Sequence, residues 1–141
     1  MPRQVVLDTS VLVAALRSQR GASYEVLSRV GGAEFELSVS VPLVLEYEAA
    51  AKAQARELGL THADLDDVVD YLCSVAHPRQ IFYLWRPVLR DPTDDMVLEL
   101  AVEAGCEAII THNLRDFVGA ERFGISVLTL GAFLQQLEGR R

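Results

Sequence analysis

Lysine is nearly absent from this chain: Lys52 is the only one, and the other basic residues are arginines. Against 13 Lys and Arg stand 20 Asp and Glu, for a formal net charge of −7. No global positive field therefore draws nucleic acid to the surface, so a polyanionic partner must be held locally by arginines or metal ions. Cysteine is also scarce. Cys73 and Cys106 are too few and too isolated for a zinc site, and each lies in an apolar segment where a buried free thiol is expected, as in a reducing cytoplasm. His62, His77 and His112 share no metal-ligand spacing, and His112 reads as an exposed loop residue rather than a substrate contact. No apolar run is long enough to span a membrane. The N-terminal apolar run is broken by Asp8 and reaches Arg17 without a small-residue cleavage pattern, so no secretory signal is expected. Repeats, low-complexity tracts and linkers are missing as well. With 141 residues, 50% of them apolar, the chain is expected to form one domain over residues 1–141.

What is present is an alternation of short β-branched runs and longer helical patterns. Gln4 to Leu7, Phe35 to Val39, Gln80 to Leu84, Ala108 to Thr111 and Ser126 to Leu130 read as strands. The first and fourth are uniformly apolar, as parallel central strands are. Ser10 to Leu16, Tyr24 to Val30, Pro42 to Leu58, Ala63 to Ala76, Asp94 to Ala104 and Gly131 to Leu137 read as helices. Pro42 suits a first turn, Thr61 lies three residues before Asp64 as a cap does, and Gly59 and Gly105 suit helix stops. The pattern predicts a three-layer α/β/α fold around a mainly parallel sheet of about five strands. Such sheets place ligands beyond the carboxyl ends of their strands, where Asp8 and Asn113 fall.

Among so many acids, the informative ones lack a local structural task. Glu48 has Lys52 four residues on, whereas Glu46 has only Pro42, Leu43, Ala49, Ala50 and Ala53 at helical spacing, a small apolar face suited to packing on the sheet. Asp94 aligns with Val97, Leu98 and Ala101 and is expected to point inward; Asp95 aligns with Glu99 and Val102, toward the wetter side, and reads as a complement to the helix dipole. Asp8 is either a side-chain cap for the next helix or a ligand. Together with Asn113 and Asp116, these acids are placed to converge on one crevice. Carboxylates ~4 Å apart repel by about 4 kcal/mol at an effective dielectric near 20, so such a cluster needs a cation. Oxygen donors without His or Cys select Mg²⁺ or Mn²⁺ over zinc. Two other α/β classes with an Asp after the first strand, phosphoaspartate hydrolases and receiver domains, want a lysine that this chain lacks; Lys52 is mid-helix and paired. Tyr71, Phe82, Tyr83 and Trp85 read as core or oligomer contacts, and nearby Arg79, Arg86 and Arg90 as contacts to an acidic partner.

The motifs "VVLDTSVLVAAL", "VPLVLEYEAA", "LRDPTDDMVLELAVEAGCEAIITHNLRDF" and "FGISVLTLGAFLQQL", in this order, resemble the PIN-domain family. The nearest branch is the toxin components of toxin–antitoxin pairs related to VapC ribonucleases. That resemblance implies an Mg²⁺- or Mn²⁺-dependent endoribonuclease that leaves a 5′ phosphate and a 3′ hydroxyl, a protein antitoxin, and a homodimer. It matches Asp8, Glu46 and Asp94 to the family's metal-binding acids and puts Asn113 where many members have a fourth. This departure removes a negative charge, which Asp116 is placed to restore. Ser10, Thr111, Asp91 and Asp95 are expected to support the ligands, and Arg17, Arg20 and Arg115 to hold substrate phosphates. The competing expectation is a catalytically weak PIN scaffold that binds RNA or protein.

Overall fold

The computed structural model describes residues 3–18, 20–80, 89 and 91–139. Among the described residues, five strands form one parallel sheet: β1 (Arg3–Leu7), β2 (Phe35–Val39), β3 (His77–Pro78), β4 (Ala108–Ile110) and β5 (Ser126–Leu128). Their order is β3-β2-β1-β4-β5. Helices cover the sheet: α1 (Thr9–Arg17), α2 (Ala22–Ser28), α3 (Val41–Ala53), α4 (Ala55–Leu58), α5 (His62–Val75), α6 (Pro92–Glu103) and α7 (Leu130–Gly139). Two 3₁₀ turns, Leu114–Phe117 and Ala120–Phe123, link β4 to β5. The expected three-layer α/β/α arrangement is what the chain adopts, with every strand pair parallel. No helix among the described residues is long and apolar enough to cross a membrane.

The centre of the sheet follows from composition. Val5, Val6, Leu7, Ala108, Ile109 and Ile110 are all buried, as expected of strands covered by helices on both faces. Each larger side chain among them contributes about 1.5–3 kcal/mol by leaving water. Val5 lies opposite Leu37 on one side and Ala108 on the other, and Leu7 lies opposite Ile110. The chain builds outward from β1 through β2 to β3, then crosses to the other flank for β4 and β5. The sheet order therefore reverses between β1 and β4, and their carboxyl ends define the crevice.

Several sequence expectations need correction. The third described strand is His77–Pro78, paired with Ser38 and Val39; the strand expected over Gln80 to Leu84 lies, past Gln80, outside the described residues. Phe82, Tyr83, Trp85, Arg86 and Arg90 fall outside them too. Proline is tolerated in β3 because this strand is at the sheet edge, where a missing N–H breaks no interior ladder. The long helix from Pro42 is interrupted at Gln54, whose φ of −109° and ψ of 11° leave the helical region. This break lets Ala55 join Ala51 and Leu65 in a small separate apolar cluster. Leu130 opens α7 instead of ending β5. Cys106 is buried, but Cys73 is exposed on α5.

Capping signals translate directly. Thr61 and Asp64 form a reciprocal capping box at α5, with Thr61 Oγ1 accepting from Asp64 N at 3.0 Å and Asp64 Oδ2 from Thr61 N at 2.9 Å. Lys52 pairs with Glu48 at 2.9 Å as the spacing predicts, and also with Asp66 on α5 at 2.7 Å. Gly59 ends α4 in the left-handed region at φ 70°.

Candidate active site

At the sheet's reversal point, Asp8 N donates to Ile110 O at 2.9 Å, tying the end of β1 to the end of β4. Asp8 occupies the N-cap position of α1, yet its side chain makes no capping hydrogen bond. Its Oδ2 instead accepts from Ser10 Oγ at 2.8 Å and Thr111 Oγ1 at 2.7 Å. Those hydroxyls are themselves held: Ser10 Oγ accepts from His112 N at 3.3 Å, and Thr111 Oγ1 from Asn113 N at 2.9 Å. The carboxylate is 7% exposed, and its Oδ1 has no hydrogen bond among the described residues. One oxygen is thus fixed by the protein while the other keeps its lone pairs for a cation or water.

Asp94 lies in the first turn of α6, half-buried, its backbone N–H donating to Asp91 O at 3.0 Å. Burial first, then the charges of Asp116, Asp8, Asp91 and Asp95, push its carboxyl up to about 7. Acids from three distant segments, after β1, at the start of α6 and in the turn after β4, therefore act on one group. Asp116, exposed in the 3₁₀ turn that the fully buried Phe117 anchors to the core, is the first of those charges acting on Asp94. Asn113 is exposed at the start of the same turn, where its carbonyl accepts from Asp116 N at 3.0 Å.

Asp95 departs from expectation. It is 1% exposed rather than on a wet face, and its Oδ1 accepts from Leu89 N at 2.8 Å. Glu99, one turn on, is buried too. Helix α6 touches β1, β2, β4, α3 and the Leu114–Phe117 turn, so both faces are covered and a two-sided reading does not apply.

The packed stripe of α3 is likewise one position round from the expected one. Leu43, Tyr47 and Ala51 are buried, whereas Pro42, Ala49 and Ala53 are exposed and Glu46 is half-buried. Tyr47 is fully buried because its hydroxyl donates to Leu7 O at 2.5 Å, one residue before Asp8. Burial first, and then the charge of Asp8, raise the Tyr47 hydroxyl so that it stays protonated as a donor. Sequence reasoning passed over Tyr47, although its spacing from Leu43 and Ala51 marks the buried face. Glu46 has no hydrogen bond or ion pair among the described residues and is absent from the charges acting on Asp94. One and two turns further along its face, Ala50 and Gln54 line a cleft of about 510 Å³, with Ser10, Arg17, His112 and Asn113 on the opposite wall. Arg17 Nη2 donates to Gln54 Oε1 across it. Arg115 and Arg20 are exposed, and neither lines the cleft. A comparable hollow of about 560 Å³ lies at the β2–β3 edge, against Pro42, Pro78 and Arg79, with no carboxylate among its described lining residues.

The donor set at the reversal point consists of carboxylate, amide and hydroxyl oxygens, the chemistry that Mg²⁺ and Mn²⁺ prefer. Among the described residues, no three acid, His or Cys side chains are already gathered closely enough to hold an ion.

The sequence pattern of the PIN domain family matches residues 4–115. This chain belongs to the PIN domain family. Two solved structures are similar in fold to this PIN domain. VapBC2 from Rickettsia felis, bound to a DNA fragment from their promoter, is 11% identical at a TM-score of 0.62, covering 89% of this chain and 98% of that one. VapBC-1 from nontypeable Haemophilus influenzae is 14% identical at a TM-score of 0.62, covering 91% of this chain and 98% of that one. No curated protein matches the chain.

Proposed function

We propose that this PIN domain is an Mg²⁺- or Mn²⁺-dependent endoribonuclease and the toxin of a toxin–antitoxin pair. The observation that carries the reading is the state of Asp94, whose carboxyl is pushed up to about 7 by burial and by Asp116, Asp8, Asp91 and Asp95. A fold does not need mutually repelling acids at its ligand crevice, and a divalent cation turns that repulsion into attraction. The likeness to two VapBC structures supports a protein antitoxin as partner. Homodimerisation and a cytoplasmic setting belong to the same reading.

When bound, Mg²⁺ or Mn²⁺ supplies charge shielding at the phosphate and a more acidic water. Asp8, immobilised by Ser10 and Thr111, and Asp94 are the principal ligands, with Asn113 and Asp116 as auxiliaries. The main-chain carbonyl of Asp91 accepts from Asp94 N and Asp95 N and so fixes the first turn of α6, and the Asp95 carboxylate ties the same helix to Leu89. Glu46, half-buried and unpaired among the described residues, serves as ligand or as the base that takes a proton from the attacking water. Arg17 in the cleft wall, and Arg20 and Arg115 outside it, hold backbone phosphates. Hydrolysis then leaves a 5′ phosphate and a 3′ hydroxyl.

A catalytically weak RNA- or protein-binding scaffold is the second reading, favoured by Asn113 standing where an acid is common. Incubating the purified protein with total RNA decides between them. Cleavage in Mn²⁺ that is lost with chelator and in Glu46→Gln supports the nuclease; RNA left intact under every condition supports the scaffold.

A further inference from the structure

The one histidine at the crevice is not a free loop residue. His112 Nε2 lies 2.6 Å from Ser23 Oγ, and Ser23, in the first turn of α2, is only 3% exposed. No other hydrogen bond is made by that hydroxyl among the described residues. The backbone N–H of the same histidine donates to Ser10 Oγ, the group that holds Asp8. His112 is therefore fixed at two points, and its ring stands in the cleft wall beside Ser10 and Asn113.

We propose that His112, oriented by the buried hydroxyl of Ser23, is a substrate-contacting residue that donates a hydrogen bond from Nδ1 to an RNA backbone phosphate next to the scissile bond. This rests on the ribonuclease reading above. The phosphate contact uses the tautomer in which the Ser23 hydroxyl donates to Nε2 and the ring proton is on Nδ1, so that Ser23 orients the ring and leaves Nδ1 as its donor. Phosphate oxygens only accept, and donors in this cleft are few. The hydroxyls of Ser10 and Thr111 are spent on Asp8, while Arg17 gives one N–H to Gln54 and keeps the others for a phosphate next to the one that His112 contacts. The chain's net charge of −7 supplies no general attraction to replace such a contact. Ser23 is a positioning residue, acting through the imidazole.

The test compares steady-state cleavage of a single-stranded oligoribonucleotide in Mn²⁺ by wild type, His112→Ala, Ser23→Ala and His112→Asn. Loss of one hydrogen bond to a charged group raises KM about tenfold in His112→Ala, with kcat within about twofold. Ser23→Ala raises KM in the same direction. His112→Asn, whose amide nitrogen stands near the place of Nδ1, recovers most of the loss although it no longer reaches Ser23. A role limited to tethering α2 to the crevice predicts the opposite: lower kcat, lower unfolding temperature and no rescue by Asn. That outcome, or unchanged KM in His112→Ala, overturns the proposal while leaving the nuclease reading intact. If wild type neither binds nor cleaves the oligonucleotide, that reading fails and this inference fails with it.

Discussion

Thr111 and Asp8 lie 103 positions apart in sequence, yet the Thr111 hydroxyl donates to Asp8 Oδ2 at 2.7 Å. Thr111 is fully buried, and the same oxygen accepts from Asn113 N. One side chain thus holds the carboxylate at the end of β1 and shapes the turn after β4. Replacing it by valine keeps the volume and removes both interactions. Thr111→Val should lose about 1–3 kcal/mol of stability, because a buried N–H and a carboxylate lose a partner. It should also weaken Mn²⁺ binding by about 10–100-fold. Chemical denaturation and calorimetric titration check the two effects, and unchanged Mn²⁺ affinity would refute the support assigned to Thr111.

Asp94 gives the pH dependence its sign. Its folded-state value of about 7 lies above the ordinary 3.8, so between those limits the folded state binds more protons than the unfolded one. That contribution to stability is full below about 3.8 and is lost as pH rises through about 7. In chelator, Asp94→Asn should therefore unfold at a higher temperature than wild type at pH 8, with the gap closing as pH falls toward 4. Cleavage in Mn²⁺ should vanish in the same variant. Melting curves across that range, with an RNA cleavage assay alongside, would disprove the ligand assignment if activity survived.

Tyr47 holds α3 against the end of β1 through its hydroxyl bond to Leu7 O. Tyr47→Phe keeps the ring packing and leaves the carbonyl unpaired, at a cost of about 1–2 kcal/mol. Because Glu46 precedes it on the same helix, kcat should fall as well, whereas a simple packing role predicts a stability loss alone. Urea unfolding together with kcat measurement separates these outcomes.

Arg17 contributes a charge to the cleft. For single-stranded RNA, the slope of log binding constant against log salt changes by about 0.7 for each phosphate neutralised. Arg17→Ala should make that slope shallower by about this amount in fluorescence anisotropy; an identical slope would place Arg17 outside the RNA path.

Much of the scaffold was legible because its signals are local. A run such as Val5–Val6–Leu7, with no polar face, suits only a strand covered on both sides, and Thr61 with Asp64 specifies a helix start within four residues. The reading failed where an element meets several neighbours. Helical periodicity points Asp95 toward water, but α6 is packed on several sides and the Asp95 carboxylate accepts from Leu89 N. The face of α3 was misplaced by one position because tyrosine is buried only where its hydroxyl finds an acceptor, and Leu7 O is 40 residues away.

The sequence by itself determined the alternation of strands and helices, the parallel sheet and the delivery of Asp8 and Asn113 to its carboxyl edge, since periodicity and caps act over one or two turns. Only the tertiary structure decided which oxygens of Asp8 are occupied, which acids raise Asp94, and that Ser23 reaches His112. Those outcomes depend on hydrogen bonds and charges between segments up to 103 residues apart. No local pattern encodes such distances, because they are set by how the layers pack.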